Sequence, residues 1–153
     1  MGIYFLDTSA IVKRYFLEPE HDWVVALCDS TQANRFYISQ AALVEVVATI
    51  CRKAREQSIA DEERDDLIET FRQDCRLAYI VWPVTNTTYT AAGNLCRTHR
   101  LRAYDAVQLA CVLGLREEAM AAETSLPVFI CADNGLIDMA VAEKLSIENP
   151  NKY

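Results

Sequence analysis

Four apolar residues run straight into an aspartate in the stretch IYFLD, residues 3–7. A similar pattern returns late in the chain, where VFICAD covers residues 128–133. Short apolar runs that end at turn or helix-start residues are typical of parallel strands buried on both faces. In an open α/β sheet, the carboxyl ends of such strands form the crevice where ligands bind. The two stretches therefore predict that Asp7 and Asp133 lie at one edge of a parallel sheet.

Strand-like and helix-like segments alternate along the chain. Further strands are predicted at 36–39, 79–84 and around Ile147. This alternation indicates an α/β protein with a central parallel β-sheet flanked by helices, a three-layer fold. Ser39 and Asp61 are expected to act as N-caps, because both side chains accept hydrogen bonds from free helix amides. Helices are predicted over about 9–17, 20–32, 40–57, 62–78, 87–100, 105–121 and 135–144.

Composition limits the class of protein. The chain has 153 residues, 52% of them hydrophobic, with only four Gly and four Pro, so a single domain over residues 1–153 is expected. No apolar stretch approaches the roughly 20 residues of a membrane span, and a cytoplasmic protein is expected. The net charge of −7 argues against a surface that grips nucleic acid broadly. Acids neutralised by bound metal ions would still admit such a substrate.

The cysteines and histidines show no zinc or disulfide pattern. None of the six cysteines forms a C-x-x-C pair, and most lie in apolar runs, so we expect reduced thiols that act as small hydrophobic residues. The two histidines, His21 and His99, have no neighbouring cysteine pair, which argues against a zinc site. Cysteine chemistry is therefore not predicted to be the function.

Three oxygen-bearing side chains follow the first strand in succession: Asp7, Thr8 and Ser9. Each of them is a common N-cap, because its oxygen accepts a hydrogen bond from a free backbone amide. Three in a row exceed what one cap requires, and they also offer hard oxygen ligands for an ion such as Mg²⁺. Both interpretations of Asp7 stay open.

Two further acids interrupt strongly apolar helical stretches. Glu45 lies in the stretch ALVEVVA, and a glutamate is almost never fully buried unless it is paired. It is either a metal ligand, an ordinary exposed side chain, or the partner of a Lys or Arg on a neighbouring element. Asp105 opens a helix in which Gln108 is the only other polar residue before Gly114. Asp105 could also simply stabilise the helix start, an effect of about 0.3–1 kcal/mol.

The candidate metal ligands are Asp7, Glu45, Asp105 and Asp133. Two carboxylates about 4 Å apart repel by up to about 4 kcal/mol at an effective dielectric constant of about 20. No Lys or Arg adjoins the four acids in sequence closely enough to neutralise them all, whereas a divalent ion would. An all-oxygen ligand set favours Mg²⁺ or Mn²⁺ over zinc. Asp138 is expected at the surface, with an accessory role open.

The same residues resemble those of PIN-domain ribonucleases. The matching segments are LDTSAIVK at 6–13, Glu45, YDAVQLA at 104–110 and ADN at 132–134. The closing IENP at 147–150 and the order of the acids look like the VapC toxins of toxin–antitoxin operons. In one difference, Asn-Gly follows the last acid where many relatives carry a charged residue.

The resemblance implies a PIN-like fold and a Mg²⁺-dependent endoribonuclease. It also implies a homodimer and a cognate VapB-like antitoxin whose tail enters the active-site groove. Thr8 or Ser9 would support the site, and Lys13 and Arg14 would contact RNA phosphates. By the same resemblance, the catalytic metal ligands are Asp7, Glu45, Asp105 and Asp133.

Other interpretations stay open. Arg97, Arg100 and Arg102 form a second cationic group, which is either a phosphate contact or a solvated helix end. A catalytically silent PIN-fold module that binds nucleic acid or protein is the alternative to an enzyme. A phosphatase with an aspartyl nucleophile also places an Asp after its first strand, but it carries a second Asp two residues later, where this chain has Ser9.

Overall fold

The computed structural model describes residues 1–29 and 32–153. In that part of the chain, five strands form one sheet in the order β3-β2-β1-β4-β5, and every neighbouring pair is parallel. This confirms the predicted α/β class with a central parallel sheet. The strands are β1 (Ile3–Leu6), β2 (Arg35–Ser39), β3 (Tyr79–Trp82), β4 (Val128–Ile130) and β5 (Ser146–Glu148).

Seven α-helices connect the strands within the described ranges, and short 3₁₀ turns follow α1 and β5. The longest, α6, buries nine of its nineteen residues, as its apolar sequence predicts. The helices are α1 (Thr8–Ile11), α2 (His21–Cys28), α3 (Ala42–Arg55), α4 (Asp61–Leu77), α5 (Asn86–Thr98), α6 (Ala103–Ala121) and α7 (Asn134–Ala142).

Helices cover both faces of the sheet and give it the expected three layers. Successive side chains of a strand point to opposite faces, so Phe5 and Leu6 enter different cores. Phe5 and Phe129 pack with buried residues of α5, α6 and α7. Leu6 and Ile130 pack with buried residues of α1, α3 and α4. The strands are therefore apolar on both faces, which explains their continuous apolar sequences.

The central strand β1 lies between β2 and β4, and its last residue, Leu6, pairs with Ile38 and Ile130. The amide of Asp7 continues the ladder by donating to the carbonyl of Ile130 at 2.9 Å. Because the strands are parallel, their carboxyl ends meet at one edge. Asp7 and Asp133 therefore follow neighbouring strands at the same edge of the sheet, as the two apolar stretches predict.

Several predicted helix boundaries were wrong. The helix expected over 9–17 ends at Ile11 and becomes a 3₁₀ turn over Val12–Arg14, which brings Lys13 back toward two glutamates. The helix expected over 20–32 ends at Cys28, and its predicted positions 30–31 lie outside the described residues.

The two predicted N-caps were also wrong. Ser39 does not cap α3, which begins three residues later. It is fully buried, and its hydroxyl accepts from the amide of Ala41 at 3.1 Å. Asp61 is the first residue of α4, and Ala60 occupies the capping position.

Among the helices of the described residues, none combines the length and the apolar sequence that a membrane span requires.

All six cysteines are free, but only Cys111 and Cys131 are fully buried, and Cys96 is exposed. The expectation of buried thiols therefore holds for part of the set only.

Candidate active site

Four separate elements carry the four candidate acids. Asp7 follows β1, Glu45 lies in the first turn of α3, Asp105 lies in the first turn of α6, and Asp133 precedes α7. The charge of Asp105 acts on Asp7, the charges of Asp7 and Asp105 act on Glu45, and Arg102 contacts both Asp105 and Asp133. Asp7 and Asp133 also cap the helices that follow them. A capping role does not exclude a role in the site, because a carboxylate has two oxygens.

Asp7 is almost completely buried, with 4% of its surface exposed. Its Oδ2 accepts from the backbone amide of Ser9 at 3.1 Å and from the Ser9 hydroxyl at 2.6 Å. The Ser9 Oγ in turn accepts from the amide of Ala132 at 3.0 Å. Ser9 therefore links Asp7 to the segment that follows β4.

Burial raises the pKa of Asp7 above its ordinary value. Hydrogen bonds from Ser9 oppose that rise because they favour the charged carboxylate, and the charge of Asp105 adds to it. Neither Asp7 nor Glu45 has an ion-pair partner among residues 1–29 and 32–153. Ionisation of Asp7 is therefore less favourable than that of a solvent-exposed aspartate.

Glu45 is half-buried and is held by an amide instead of a cation. The Nε2 of Gln108 donates to Glu45 Oε1 at 2.8 Å and to Thr8 Oγ1 at 3.0 Å. Burial raises the pKa of Glu45, hydrogen bonds from Gln108 and Thr8 lower it, and the charges of Asp7 and Asp105 raise it further. The alternative that Glu45 pairs with a Lys or Arg is not seen in the described part of the chain.

An arginine joins the other two acids. Arg102 Nε donates to Asp105 Oδ2 at 3.0 Å, and its guanidinium lies 3.6 Å from Asp133 Oδ2. The hydrogen bond to Asp105, followed by the charges of Asp105, Asp133 and Asp7, raises the pKa of Arg102. Arg102 therefore contacts two of the four acids, Asp105 and Asp133, and leaves Asp7 and Glu45 without an ion pair in the described residues. The arginine side chain is 81% exposed, so this contact is weakly held.

No three His, Cys, Asp or Glu side chains within the described ranges form a ready-made metal cage. The donor chemistry nevertheless fits a hard cation, because the candidate ligands are four carboxylates flanked by two hydroxyls. Burial raises the pKa of the Cys131 thiol, whose sulfur lies 3.7 Å from Asp7 Oδ2. A protonated thiol is a poor metal ligand, so the set does not suit zinc.

Lys13 and Arg14 are not presented to a phosphate as expected. Lys13 is buried, with its Nζ 2.9 Å from Glu20 and 3.3 Å from Glu18. Arg14 donates to the Tyr79 hydroxyl at 3.0 Å and also pairs with two aspartates, Asp29 and Asp74. Both cations stabilise the fold around α1, and the interpretation of Lys13 and Arg14 as RNA contacts is corrected accordingly.

A cavity of about 420 Å³ lies beside two of the acids. Its lining includes Arg100 and Arg102 together with Asp105 and Asp133. A larger cavity of about 590 Å³ lies between α5 and α6 and contains none of the four acids. The smaller, charged cavity is therefore the better candidate for a substrate site.

The contacts of Gln108 and Arg102 with the acids are not predicted from the sequence. The one sequence signal for Gln108 is that it interrupts an otherwise apolar helix. Arg102 belongs to the predicted cationic group, and its spacing of three residues from Asp105 matches a helical ion pair. Its approach to Asp133 depends on the fold.

The model of the PIN domain family matches residues 4–141. The chain belongs to the PIN-domain family. The chain is also 33% identical over 125 residues to Ribonuclease VapC45 of Mycobacterium tuberculosis, an overlap of 78% of this chain and 81% of that protein.

Solved structures share the PIN fold. The crystal structure of FitAcB from Neisseria gonorrhoeae superposes with a TM-score of 0.67 at 17% identity, covering 99% of each chain. A toxin–antitoxin complex from Klebsiella pneumoniae gives a TM-score of 0.60 at 13% identity, covering 96% of this chain and 97% of that one. At these identities the likeness establishes the fold alone.

Proposed function

We propose that this PIN-domain protein is a Mg²⁺- or Mn²⁺-dependent endoribonuclease, the toxin of a VapBC-type toxin–antitoxin pair. Two contacts support the proposal: Gln108 links Glu45 to Thr8, the residue after Asp7, and Arg102 lies against both Asp105 and Asp133. The name Ribonuclease, carried by a relative at 33% identity, supports the reaction class.

The residues take distinct roles in this proposal. A bound Mg²⁺ would supply positive charge to stabilise the negative charge that develops on the phosphate. Thr8 and Ser9 hold neighbouring side chains in place by the hydrogen bonds described above. Attack by water would leave a 5′-phosphate and a 3′-hydroxyl and would not require the RNA 2′-hydroxyl. The residues that would hold the cation are Asp7, Glu45, Asp105 and Asp133.

The cavity next to Asp105 and Asp133 favours a phosphate-bearing substrate. Arg100 and Arg102 line it, and Arg102 is largely exposed. Local positive charge of this kind attracts a phosphate backbone even in a protein whose net charge is −7. These arginines replace Lys13 and Arg14 as the proposed phosphate contacts.

An antitoxin partner and a homodimer belong to the same proposal. The Klebsiella pneumoniae structure with the same fold is a toxin–antitoxin complex, which supports a partner of that kind. We expect a short reading frame next to this gene to encode a protein that copurifies with the chain and blocks its activity. Light scattering measures the mass of the purified chain in solution. A dimer mass is expected, and a monomer mass would contradict the proposed homodimer.

One observation favours the alternative, a silent module that binds nucleic acid or protein. Arg102 already pairs with Asp105 and Asp133, and no group of three possible metal ligands is found among the described residues. A silent module would bind RNA equally well in Mg²⁺ and in EDTA, and it would leave the strand intact.

Cleavage of RNA by the purified chain separates the two functions. With Mg²⁺, wild type is expected to cut RNA, and Asp7→Asn is expected to lose more than about 100-fold in rate. That estimate is conservative, since even residues that only orient metal ligands cost about 10–100-fold when removed. Asp138→Asn is the matched control, because Asp138 is exposed on α7. Undiminished cleavage by Asp7→Asn, or by wild type in excess EDTA, would refute the proposal.

A further inference from the structure

Gln108 is a fully buried polar residue in the middle of the apolar helix α6. It lies one helical turn after Asp105, on the side of α6 that faces Thr8 of α1 and Glu45 of α3. Its amide nitrogen makes two contacts, 2.8 Å to Glu45 Oε1 and 3.0 Å to Thr8 Oγ1. Thr8 directly follows Asp7, so one amide connects the neighbourhoods of three of the four acids.

The other end of the same amide is unsatisfied. Gln108 Oε1 is the single buried side-chain oxygen or nitrogen without a hydrogen-bond partner in the described part of the chain. A buried acceptor left unpaired costs about 1–3 kcal/mol. Rotating the amide by 180° would not help, because it would turn the oxygen toward the Glu45 carboxylate. The orientation of the amide is therefore set by its donor side.

This arrangement is unfavourable for folding alone. An apolar side chain of similar length would fill the same space in α6 without an orphaned oxygen, and most of the helix is apolar already. Native proteins rarely leave buried polar atoms unpaired, and those that remain often mark functional sites. The contribution of Gln108 must then come from the two hydrogen bonds that its amide nitrogen donates, to Glu45 and to Thr8.

We propose that Gln108 is a positioning residue that aims the Glu45 carboxylate at the shared cation site. Glu45 is the one acidic residue of α3. Besides Gln108, the Thr8 hydroxyl is the other group that hydrogen-bonds its carboxylate. Without Gln108, the Glu45 side chain would rotate toward solvent, and the site would keep three acids in place instead of four. This inference rests on the proposed function, since it assumes that the acids bind a divalent ion.

The test is the affinity for Mn²⁺, measured by isothermal titration without any RNA. Gln108→Met keeps the length of the side chain and removes the donor. We expect its Kd for Mn²⁺ to rise about 10-fold or more, in the range known for residues that orient metal ligands. Its melting temperature in EDTA should stay equal to that of wild type or rise, because the orphaned oxygen is gone.

Leu109→Met is the matched control. Leu109 is the next residue of α6, is also fully buried and lies within the apolar core. We expect this variant to lower the melting temperature in EDTA and to leave the Kd for Mn²⁺ unchanged. If the role of Gln108 were purely structural, Gln108→Met would also lower the melting temperature in EDTA and leave the Kd for Mn²⁺ unchanged.

A double-mutant cycle with Glu45→Gln locates the effect. If Gln108 acts through Glu45, then adding Gln108→Met to Glu45→Gln should change the remaining Mn²⁺ affinity by less than about twofold, because the two changes are coupled. A full additive loss in the double variant would overturn the inference. Should Gln108→Met fail to fold, the shorter Gln108→Leu provides the same comparison.

The outcomes separate the two proposals. If wild type binds Mn²⁺ and Gln108→Met binds it equally well, the positioning role is refuted and the proposed nuclease site stands. If wild type and both Gln108 variants show no binding, the metal-dependent function fails, and the inference fails with it.

Discussion

The four acids lower their mutual repulsion by three separate means. Burial raises the pKa of Asp7 and thereby favours its neutral form. Gln108 donates a hydrogen bond to Glu45, and Arg102 lies between Asp105 and Asp133. The sequence alone suggested that a divalent ion would be the sole relief. The folded chain provides partial relief itself, and a bound cation would have to displace the guanidinium of Arg102.

Arg102→Gln is therefore expected to tighten the binding of Mn²⁺. The variant removes a positive charge that competes for Asp105 and Asp133. Because the arginine is largely exposed, we expect only about a two- to fivefold lower Kd, in line with the modest strength of surface ion pairs. Isothermal titration measures it, with Arg76→Gln as the control, since Arg76 pairs with Glu69 on α4. Weaker Mn²⁺ binding by Arg102→Gln would contradict competition and indicate a supporting role.

The ends of β1 and β4 are joined by one hydroxyl. Ser9 Oγ donates to Asp7 and accepts from the amide of Ala132, so it satisfies a polar group on each strand end. We expect Ser9→Ala to lower the free energy of unfolding by about 1–3 kcal/mol, because it leaves partly buried groups unpaired. Urea denaturation in EDTA measures the change. Ser146→Ala, at an exposed position of β5, is the control, and equal effects of the two changes would refute this link.

Strands and acids could be predicted from the sequence because each depends on local pattern. A strand buried on both faces reads as a continuous apolar run, as in IYFL, and an acid after it marks the strand end. Helix ends were less accurate. Ser39 has the chemistry of a cap, but it lies inside the core, where its neighbour Cys111 comes from α6.

The partners of charged and polar side chains could not be predicted, because they depend on contacts across the fold. Gln108 and Thr8 are 100 positions apart in the chain, and Arg14 and Tyr79 are 65 apart. Only the folded arrangement of the elements brings these groups together. The sequence predicted the acids themselves, but it did not predict that Arg102 and Gln108 of the same chain contact them.

The shifted acids make the stability of the metal-free protein depend on pH. The pKa of Asp7 and that of Glu45 are both raised on folding. The folded state then binds more protons than the unfolded state between the unfolded and folded pKa values, so stability falls as pH rises through that window. We expect wild type in EDTA to melt at a lower temperature at pH 7 than near pH 5. Calorimetry should show a smaller decrease for Asp7→Asn, and an unchanged decrease would contradict the assignment.

The parallel sheet gathers these elements at one edge, and a cation should stabilise the folded chain because only that state presents the assembled acids. The most direct test is the melting temperature of wild type and Asp7→Asn near pH 7.5, in EDTA and in millimolar Mn²⁺. Wild type should melt at a higher temperature with Mn²⁺. Asp7→Asn should melt no lower than wild type in EDTA, because Asn carries no charge in this buried position, and should show almost no further rise with Mn²⁺. Equal Mn²⁺-induced rises in the two proteins would contradict a shared cation site built around Asp7.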